Sequence, residues 1–527
     1  MPEFELRFLF FVEREFHISL FKNIITYIKE HKLGKIGVLS LPYQPSERNR
    51  PGWGSRKEII DKELNCEYVS VNDPFAYNPH ITYVADSSYE KLEGLPFIVN
   101  IGHGLISKGS FYRNNRLSFR ENAADLICTP GIIHKKNLQK WIKKPIVVTG
   151  MPKLANFFLE NKNVDLLEKY GLDKNKKTVL VAPTYNEEFS LLMFLEKDFK
   201  NYFPKKYNFV FKLHGVTDRR WIIRVKEEVD KHQHIALSEN LDIADLFPVS
   251  DLLISDISSV IYEFLITDKP ILLFDIPFMY KHKRFDPSDI EYRYRDVGIR
   301  FSEPKLIPYL IDKSFKKDDY YKNRLETKNL FIGDLKGQAV SKIITATIKF
   351  LRDKKHKNAL IFYGTGTLIP QKVSKYTNKY ICKEITTINE SSLKKNMHSL
   401  PENIIFISKR IKISPLIPEF LSAYLDSYPD ISIFVPTTSN KLNCPEQSIS
   451  NYVSEVKHVD DKRIGGPLSY FYSGNFVEIN EPTPYLFAVR KKELNSFFEN
   501  KDCTENDFWT ELKKYFRNKK KKFAVCL

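Results

Sequence analysis

The sequence predicts an α/β protein: two doubly wound parallel-sheet domains followed by a smaller α/β unit. Short apolar runs alternate with polar, helix-like stretches, the rhythm of strand-helix-strand units around a parallel sheet. That rhythm comes twice in succession, and after about Phe350 it breaks at the charged run Lys354-Lys355-His356-Lys357, before a third unit that begins at Ala359. With 527 residues, 42% hydrophobic and 13% aromatic, the chain is too long for one core of ordinary size and too apolar to be disordered.

The opening Met1 to Val12 is apolar in part, but Glu3, Glu5 and Arg7 interrupt it and no small-residue cleavage site follows. It reads as a short strand or helix packing on the first lobe, not as a signal peptide. The first series of runs is Ile36 to Leu41, Ile81 to Ala85, Phe97 to Ile101, Leu126 to Thr129 and Ile146 to Thr149. The second is Thr178 to Ala182, Asn208 to Leu213, Ile235 to Leu237, Leu252 to Ser255 and Ile271 to Phe274. The junction falls within Gly150 to Lys177, where Val148-Thr149-Gly150-Met151-Pro152 ends a strand and a charged helix carries the chain across. The predicted division is 1–155 for one Rossmann-like domain, 156–350 for a second, and 359–527 for an accessory domain. Ligands of open α/β sheets sit beyond the carboxyl ends of the strands, so two facing sheets place the site in the cleft between them.

The balance of 82 Lys plus Arg against 65 Asp plus Glu, a formal charge of +17, favours anionic partners: nucleic acid, a phosphopolymer or an acidic membrane surface. Nucleic acid ranks last, because no nucleic-acid module is recognisable and the basic residues are spread along the chain. Cys66, Cys128, Cys382, Cys444, Cys503 and Cys526 lie far apart with no Cys-x-x-Cys pair, the pattern of reduced thiols and not of a zinc site or disulfide framework. No stretch reaches the roughly 18–20 apolar residues that span a bilayer, so any membrane contact is expected to be peripheral. A cytoplasmic protein, on the inner face of the membrane if it touches one, is the expectation.

Three motifs fall just after strands. Asn100-Ile101-Gly102-His103-Gly104-Leu105-Ile106-Ser107-Lys108-Gly109 puts a histidine between glycines, where backbone and ligand approach closely and the imidazole can move a proton near neutral pH. Such a turn alone is more often structural, although Lys108 adds an anion-binding group. Phe209-Val210-Phe211-Lys212-Leu213-His214-Gly215 ends a second buried strand in histidine. A lone histidine there reads as a satisfied core residue, but one per lobe in the same placement is harder to dismiss. In Val249 to Leu265 a strand ends at Ser255 and a helix opens around Ser258 and Ser259, so backbone N–H groups and two hydroxyls converge as in a phosphate site. Glu263, one turn further on, is placed to accept from a ribose. The alternative is that Asp256 and the serines cap a helix.

The order of the pieces is more specific than any one of them. Gly102-His103-Gly104, Gly150-Met151-Pro152, Ala182-Pro183-Thr184-Tyr185, Lys212-Leu213-His214, Ser255-Asp256-Ile257-Ser258-Ser259 and Asp268-Lys269-Pro270-Ile271 resemble, over roughly 80–310, the CDP-glycerol glycerophosphotransferase family of teichoic-acid and capsule synthesis. The chain departs from it at Gly215, where the family often has Pro, and at Ile257, where it often has Tyr. The resemblance implies a GT-B architecture, a nucleotide-activated donor and a lipid-linked or polymeric, phosphate-rich acceptor whose hydroxyl attacks the β-phosphorus of a CDP-alcohol and releases CMP. It implies His103 as general base and His214 as a stabiliser of phosphate charge. Ser258 and Ser259 would hold the donor pyrophosphate, Glu263 the ribose, and Arg295 would lie near the donor. Lys108, Thr184, Ser255 and Asp256 complete the expected donor-binding set. No carboxylate cluster suited to Mg²⁺ stands out, so no cofactor and a metal-independent reaction are expected. The competing readings are a GT-B glycosyltransferase or nucleotide-sugar epimerase acting on a UDP- or CMP-sugar, told apart by the nucleotide released, and a non-catalytic polyanion-binding protein.

In the third unit, Ile404 to Arg410, a helix over Leu416 to Tyr428 and a strand over Ile431 to Pro436 resemble the second half of a family 2 glycosyltransferase of GT-A type. Ser408, Lys409 and Arg410 stand where that fold carries metal-binding aspartates, which implies a non-catalytic lobe. The tail from Phe508 to Phe523 mixes Trp509, Leu512, Tyr515 and Phe516 with lysines; it could lie on an anionic membrane or simply close a small domain.

Overall fold

The computed structural model describes residues 5–41, 55, 57–69, 76–85, 95, 97–106, 124–158, 164–185, 189–195, 199–215, 217–238, 242–281, 285–352, 358–363, 381–385, 397, 399–408, 417–436, 476–479, 486–500 and 508–526. These residues build three sheets. The first contains β1 (Leu6–Val12), β2 (Gly34–Ser40), β3 (Glu67–Val69), β4 (Ile81–Val84), β5 (Ile98–Asn100), β6 (Leu126–Thr129) and β7 (Ile146–Val148). Its order is β3-β2-β1-β4-β5-β6-β7, and every pairing is parallel. The opening segment is thus a central strand and not a peripheral one: Phe8, Leu9, Phe10, Phe11 and Val12 are all fully buried. A strand covered on both faces needs an unbroken apolar run, which is what these residues supply.

The second sheet contains β8 (Thr178–Ala182), β9 (Asn208–Phe211), β10 (Ile235–Leu237), β11 (Leu252–Ser255), β12 (Ile271–Phe274) and β13 (Ile299–Phe301), in the all-parallel order β10-β9-β8-β11-β12-β13. Both sheets reverse direction once, between β1 and β4 in the first and between β8 and β11 in the second. These switch points open the crevices in which doubly wound folds bind ligands.

The lobes share material. The helix Ala339–Arg352, at the end of the second lobe in sequence, lies on the first: Val340, Ile343 and Ile344 join its core, and the Tyr83 hydroxyl donates to Thr347 Oγ1 at 2.9 Å. Gly150 makes the approach possible. Its φ of 88° is left-handed, and a Cβ there would come within 2.4 Å of Asp334 Cβ.

The third sheet contains β14 (Asn358–Tyr363), β15 (Ile381–Ile385), β16 (Asn403–Ser408), β17 (Ile431–Pro436), β18 (Phe476–Ile479), β19 (Leu486–Arg490) and β20 (Lys522–Cys526). It is mixed, with β19 antiparallel to both β16 and β17. Trp141 of the first lobe meets Tyr428 of this unit at 5.8 Å between ring centroids. Ser408 is buried at the end of β16, while Lys409 and Arg410 lie outside the described residues. The helix Phe508–Asn518 turns Phe508, Leu512, Tyr515 and Phe516 into the core around β16 and β19, and Trp509 lies tilted against Phe487 at 4.6 Å. The apolar stripe of the tail is therefore the inner face of a packed helix, with its lysines outward, so that stripe is not available to a membrane. Among the described residues, no helix is long and apolar enough to cross one.

Candidate functional site

The carboxyl ends of β1 and β5 deliver the first-lobe groups. Phe16 follows β1 at the switch point and lies half-buried ahead of the helix His17–Glu30. His103 follows β5, in a loop shaped by two buried side chains. Asn100 Oδ1 accepts from the Gly102 N–H at 2.8 Å, which bends the chain into the left-handed φ of 67° that Gly102 tolerates. Behind the loop, His134 Nε2 donates to the Leu105 carbonyl at 2.7 Å and its Nδ1 accepts from the Gly131 N–H at 3.0 Å. That pair of partners fixes the tautomer. Burial pushes the His134 pKa down to about 4, so the ring is a neutral strut. Sequence reasoning passed over it, because a histidine inside the helix Ile132–Leu138 carries no local sign of a partner twenty-nine residues away. Lys108 lies outside the described residues.

The second lobe places Thr184 and Tyr185 after β8 and Asp256 after β11. Asp256 is fully buried: Oδ1 accepts from the N–H groups of Thr184 at 2.8 Å and Ile257 at 2.6 Å, and Oδ2 from Leu191 at 2.8 Å. Ser255 donates to the Ala182 carbonyl at 2.7 Å, joining β11 to β8. Arg295 donates to the Asp256 carbonyl at 2.8 Å and pairs with Asp275 at 3.0 Å. Expected at the donor, Ser255, Asp256 and Arg295 are instead engaged inside the lobe, where they shape the loops that face the cleft. The buried Thr184 contributes its backbone to the same frame.

Ser258 and Ser259 are half-buried at the cleft. The helix that opens there, Val260–Glu263, is a single turn continued by the 3-10 turn Phe264–Thr267, too short for the strong N-terminal dipole that the sequence suggested. Ser259 faces the first lobe: a Cβ added at Gly104 would lie 3.5 Å from Ser259 Oγ. Glu263 is 1% exposed, not open to a ribose. Its Oε1 accepts from Ser259 Oγ at 3.1 Å, and its Oε2 pairs with Lys153 Nζ at 2.6 Å. Burial would lower the Lys153 pKa, but the Glu263 and Asp242 carboxylates outweigh it and hold the ammonium above the ordinary range. Lys212, beside His214, is driven the other way: burial lowers its pKa, and Asp242 only partly opposes this. An ammonium so desolvated gains by meeting an anion.

The two histidines converge on one ring. Phe16 lies 5.9 Å from His103 and 6.2 Å from His214, centroid to centroid, and Tyr185 lies 5.0 Å from His214. One imidazole from each lobe thus contacts the Phe16 ring, and the Tyr185 ring also contacts that of the second lobe. Among the described residues, no group of three or more His, Cys, Asp or Glu side chains is arranged to hold a metal ion.

Comparison with known proteins agrees with this architecture. A solved structure described as the wall teichoic acid polymerase TagF superimposes with a TM-score of 0.50 at 17% identity, over 66% of this chain and 89% of that one; at such identity it speaks for the GT-B fold alone. In sequence, the chain is 41% identical over 127 residues to the teichoic acid glycerol-phosphate primase of Bacillus spizizenii, covering 22% of this chain and 29% of that protein. It is 26% identical over 193 residues to the teichoic acid poly(glycerol phosphate) polymerase of the same organism, 34% of this chain and 47% of that protein. It is 27% identical over 266 residues to the ribitol-phosphate polymerase TarL of Staphylococcus aureus, 45% of this chain and 44% of that protein. The chain thus spans less than half the length of each of these relatives. His214, Ser258, Ser259 and Glu263 lie inside the segment that matches a known family, and His103 lies ahead of it. Over residues 131–349 the chain matches the family model described as CDP-glycerol:poly(glycerophosphate) glycerophosphotransferase, the family its ordered motifs resemble.

Proposed function

We propose that the cleft transfers a polyol phosphate, glycerol phosphate or ribitol phosphate, from a CDP-alcohol to a hydroxyl of a cell-wall or capsular polymer or its lipid-linked starter, releasing CMP. The observation that carries this reading is the meeting of His103 and His214, one from each lobe, across Phe16 beside the Ser258-Ser259 turn. His103 takes the proton of the acceptor hydroxyl as its oxygen attacks the β-phosphorus, and the bond from that phosphorus to the CMP oxygen breaks. His214 and Lys212 face the charge that gathers on the phosphoryl oxygens and on the leaving CMP. Such a reaction asks the protein for alignment and charge neutralisation more than for covalent chemistry. Neither histidine needs a metal for these roles, so turnover in the presence of a chelator is part of the proposal.

The test is release of CMP by the full chain from CDP-glycerol and CDP-ribitol, with a glycerol-phosphate oligomer as acceptor. His103→Ala is expected to lower kcat by about 10²–10⁴-fold, the usual worth of a general base. His214→Ala is expected to lower it by about 10²–10³-fold, as loss of a charge-stabilising donor does. Both variants should keep the wild-type melting temperature. Full activity in His103→Ala would remove the base, and release of a uridine nucleotide from a UDP-sugar would replace the reaction.

A further inference from the structure

The buried pair of Lys153 and Glu263 joins the two lobes. Lys153 lies in the 3-10 segment Pro152–Phe158 that leaves β7, and this segment packs on the first-lobe helix His17–Glu30, where Asn23 Nδ2 donates to the Pro152 carbonyl at 2.9 Å. Glu263 closes the one-turn helix of the second lobe that begins beside Ser259. Lys153 and Glu263 are 9% and 1% exposed. Glu263 Oε2 lies 2.6 Å from the Lys153 ammonium, and the carboxylate of such an ion pair only accepts. The Ser259 hydroxyl has one proton, and at 3.1 Å from Glu263 Oε1 it must donate it there. The Ser259 oxygen is left with its lone pairs alone.

We infer that Lys153 and Glu263 are positioning residues that set Ser259 as a hydrogen-bond acceptor for a ribose hydroxyl of the nucleotide. The site at Ser259 then takes a ligand O–H and not a phosphate oxygen, which has no proton to offer. The one-turn helix points the same way, since it lacks the length that makes a phosphate site. Gly104 faces Ser259 from the first lobe, so the reading hydroxyl stands on the lobe boundary, and the ion pair reports to it whether the lobes are together. Glu263, expected from the sequence to meet the ribose itself, acts on it through Ser259.

This inference rests on the proposed CDP-alcohol reading of the cleft, and the experiment separates the two. Full-length protein is assayed with CDP-glycerol, and binding of CMP, 2′-deoxy-CMP, 3′-deoxy-CMP and inorganic pyrophosphate is measured by calorimetry. Wild-type protein is expected to prefer CMP to one of the deoxy forms by about tenfold, the worth of one hydrogen bond to a satisfied partner. Ser259→Ala should abolish that preference and leave pyrophosphate binding unchanged. Lys153→Met should raise KM for CDP-glycerol about tenfold with kcat within about threefold of wild type, and Lys153→Arg should restore it. The double variant Lys153→Met with Glu263→Gln carries no buried unpaired charge, so its melting temperature should return toward wild type while its KM stays high. Recovery of KM together with stability would make the pair merely structural and overturn the inference. So would equal losses of CMP and pyrophosphate binding in Ser259→Ala with the deoxy preference intact. If wild-type protein turns over no CDP-alcohol the parent reading falls, yet the calorimetric comparison, which needs no turnover, still decides the role of Ser259; absence of CMP binding overturns both.

Discussion

In the first lobe the loop carrying His103 is tied down by an uncharged group, the imidazole of His134, which bridges the Gly131 N–H and the Leu105 carbonyl. In the second lobe the loop carrying Tyr185, beside His214, is tied down by a charged one, the Asp256 carboxylate, which gathers the N–H groups of Thr184, Leu191 and Ile257. Both supports are buried and both act on backbone, and each can be broken in its own way. A neutral imidazole fails when acid charges it. A carboxylate ringed by amide donors fails when it is removed, because those donors then have neither water nor partner. The lobes meet the same need, a rigid loop at a strand end, with an imidazole in one and a carboxylate in the other.

Removing the supports is the direct way to break this comparison. Asp256→Ala strands the distant amides of Thr184 and Leu191 at about 1–3 kcal/mol each, so a loss of roughly 2–6 kcal/mol is expected by denaturant titration. Donor binding should fall with it, since Arg295 also leans on the Asp256 carbonyl. An Asp256→Ala protein as stable as wild type would show that the carboxylate is not the support.

For His134 the effect is set by pH. Its pKa is about 4 in the fold against an ordinary 6.5, so the unfolded chain binds a proton that the folded chain refuses. The stabilisation is complete above pH 6.5 and is lost as pH falls through the window from 6.5 to 4, reaching a loss of about 3 kcal/mol by pH 4. Burial depresses His80 and His234 in the same direction, so the measurement is the difference in stability between wild type and the non-titrating variant His134→Gln as pH is lowered. That difference should be constant above pH 7 and should shift by about 3 kcal/mol in favour of the variant by pH 4. A difference that does not change with pH would mean that His134 is not held neutral.

The contrast also shows which parts of the protein the sequence makes legible. Strands such as Leu126–Thr129, Thr178–Ala182 and Leu252–Ser255 are visible as they stand, because a strand buried on both faces must be a continuous apolar run. The edge strands Glu67–Val69 and Ile299–Phe301 are short and only partly buried and leave no such trace. His103, His214, Ser258 and Ser259 are legible because they follow strands directly. The partners that give them meaning are not: Lys153 reaches Glu263 and His134 reaches Leu105 only after the chain has folded. Glu263 and Arg295 look like ligand-binding groups because spacing reports where a side chain starts, not where it ends.

Phe16 is the sharpest case of an unreadable residue, and it yields the smallest effect. Nothing local distinguishes it in Phe16-His17-Ile18, yet it lies at the switch point of the first sheet and is the only described ring that contacts both His103 and His214. Its contacts are edge and tilted ones, worth about 0.5–1.5 kcal/mol apiece, so they orient the histidines without binding them strongly. Phe16→Leu keeps an apolar wall of similar reach but gives up the flat face. The two imidazoles should then sample a wider range of angles, and kcat should fall by roughly tenfold or less. KM for the donor should change little, because Ser259 and its ion pair are untouched. Phe16→Tyr, which keeps the ring, should recover most of the rate. A loss in Phe16→Leu as large as that in His103→Ala would mean that Phe16 meets substrate itself. No loss at all would mean that each lobe aligns its histidine alone, His134 serving the first and Asp256 the second.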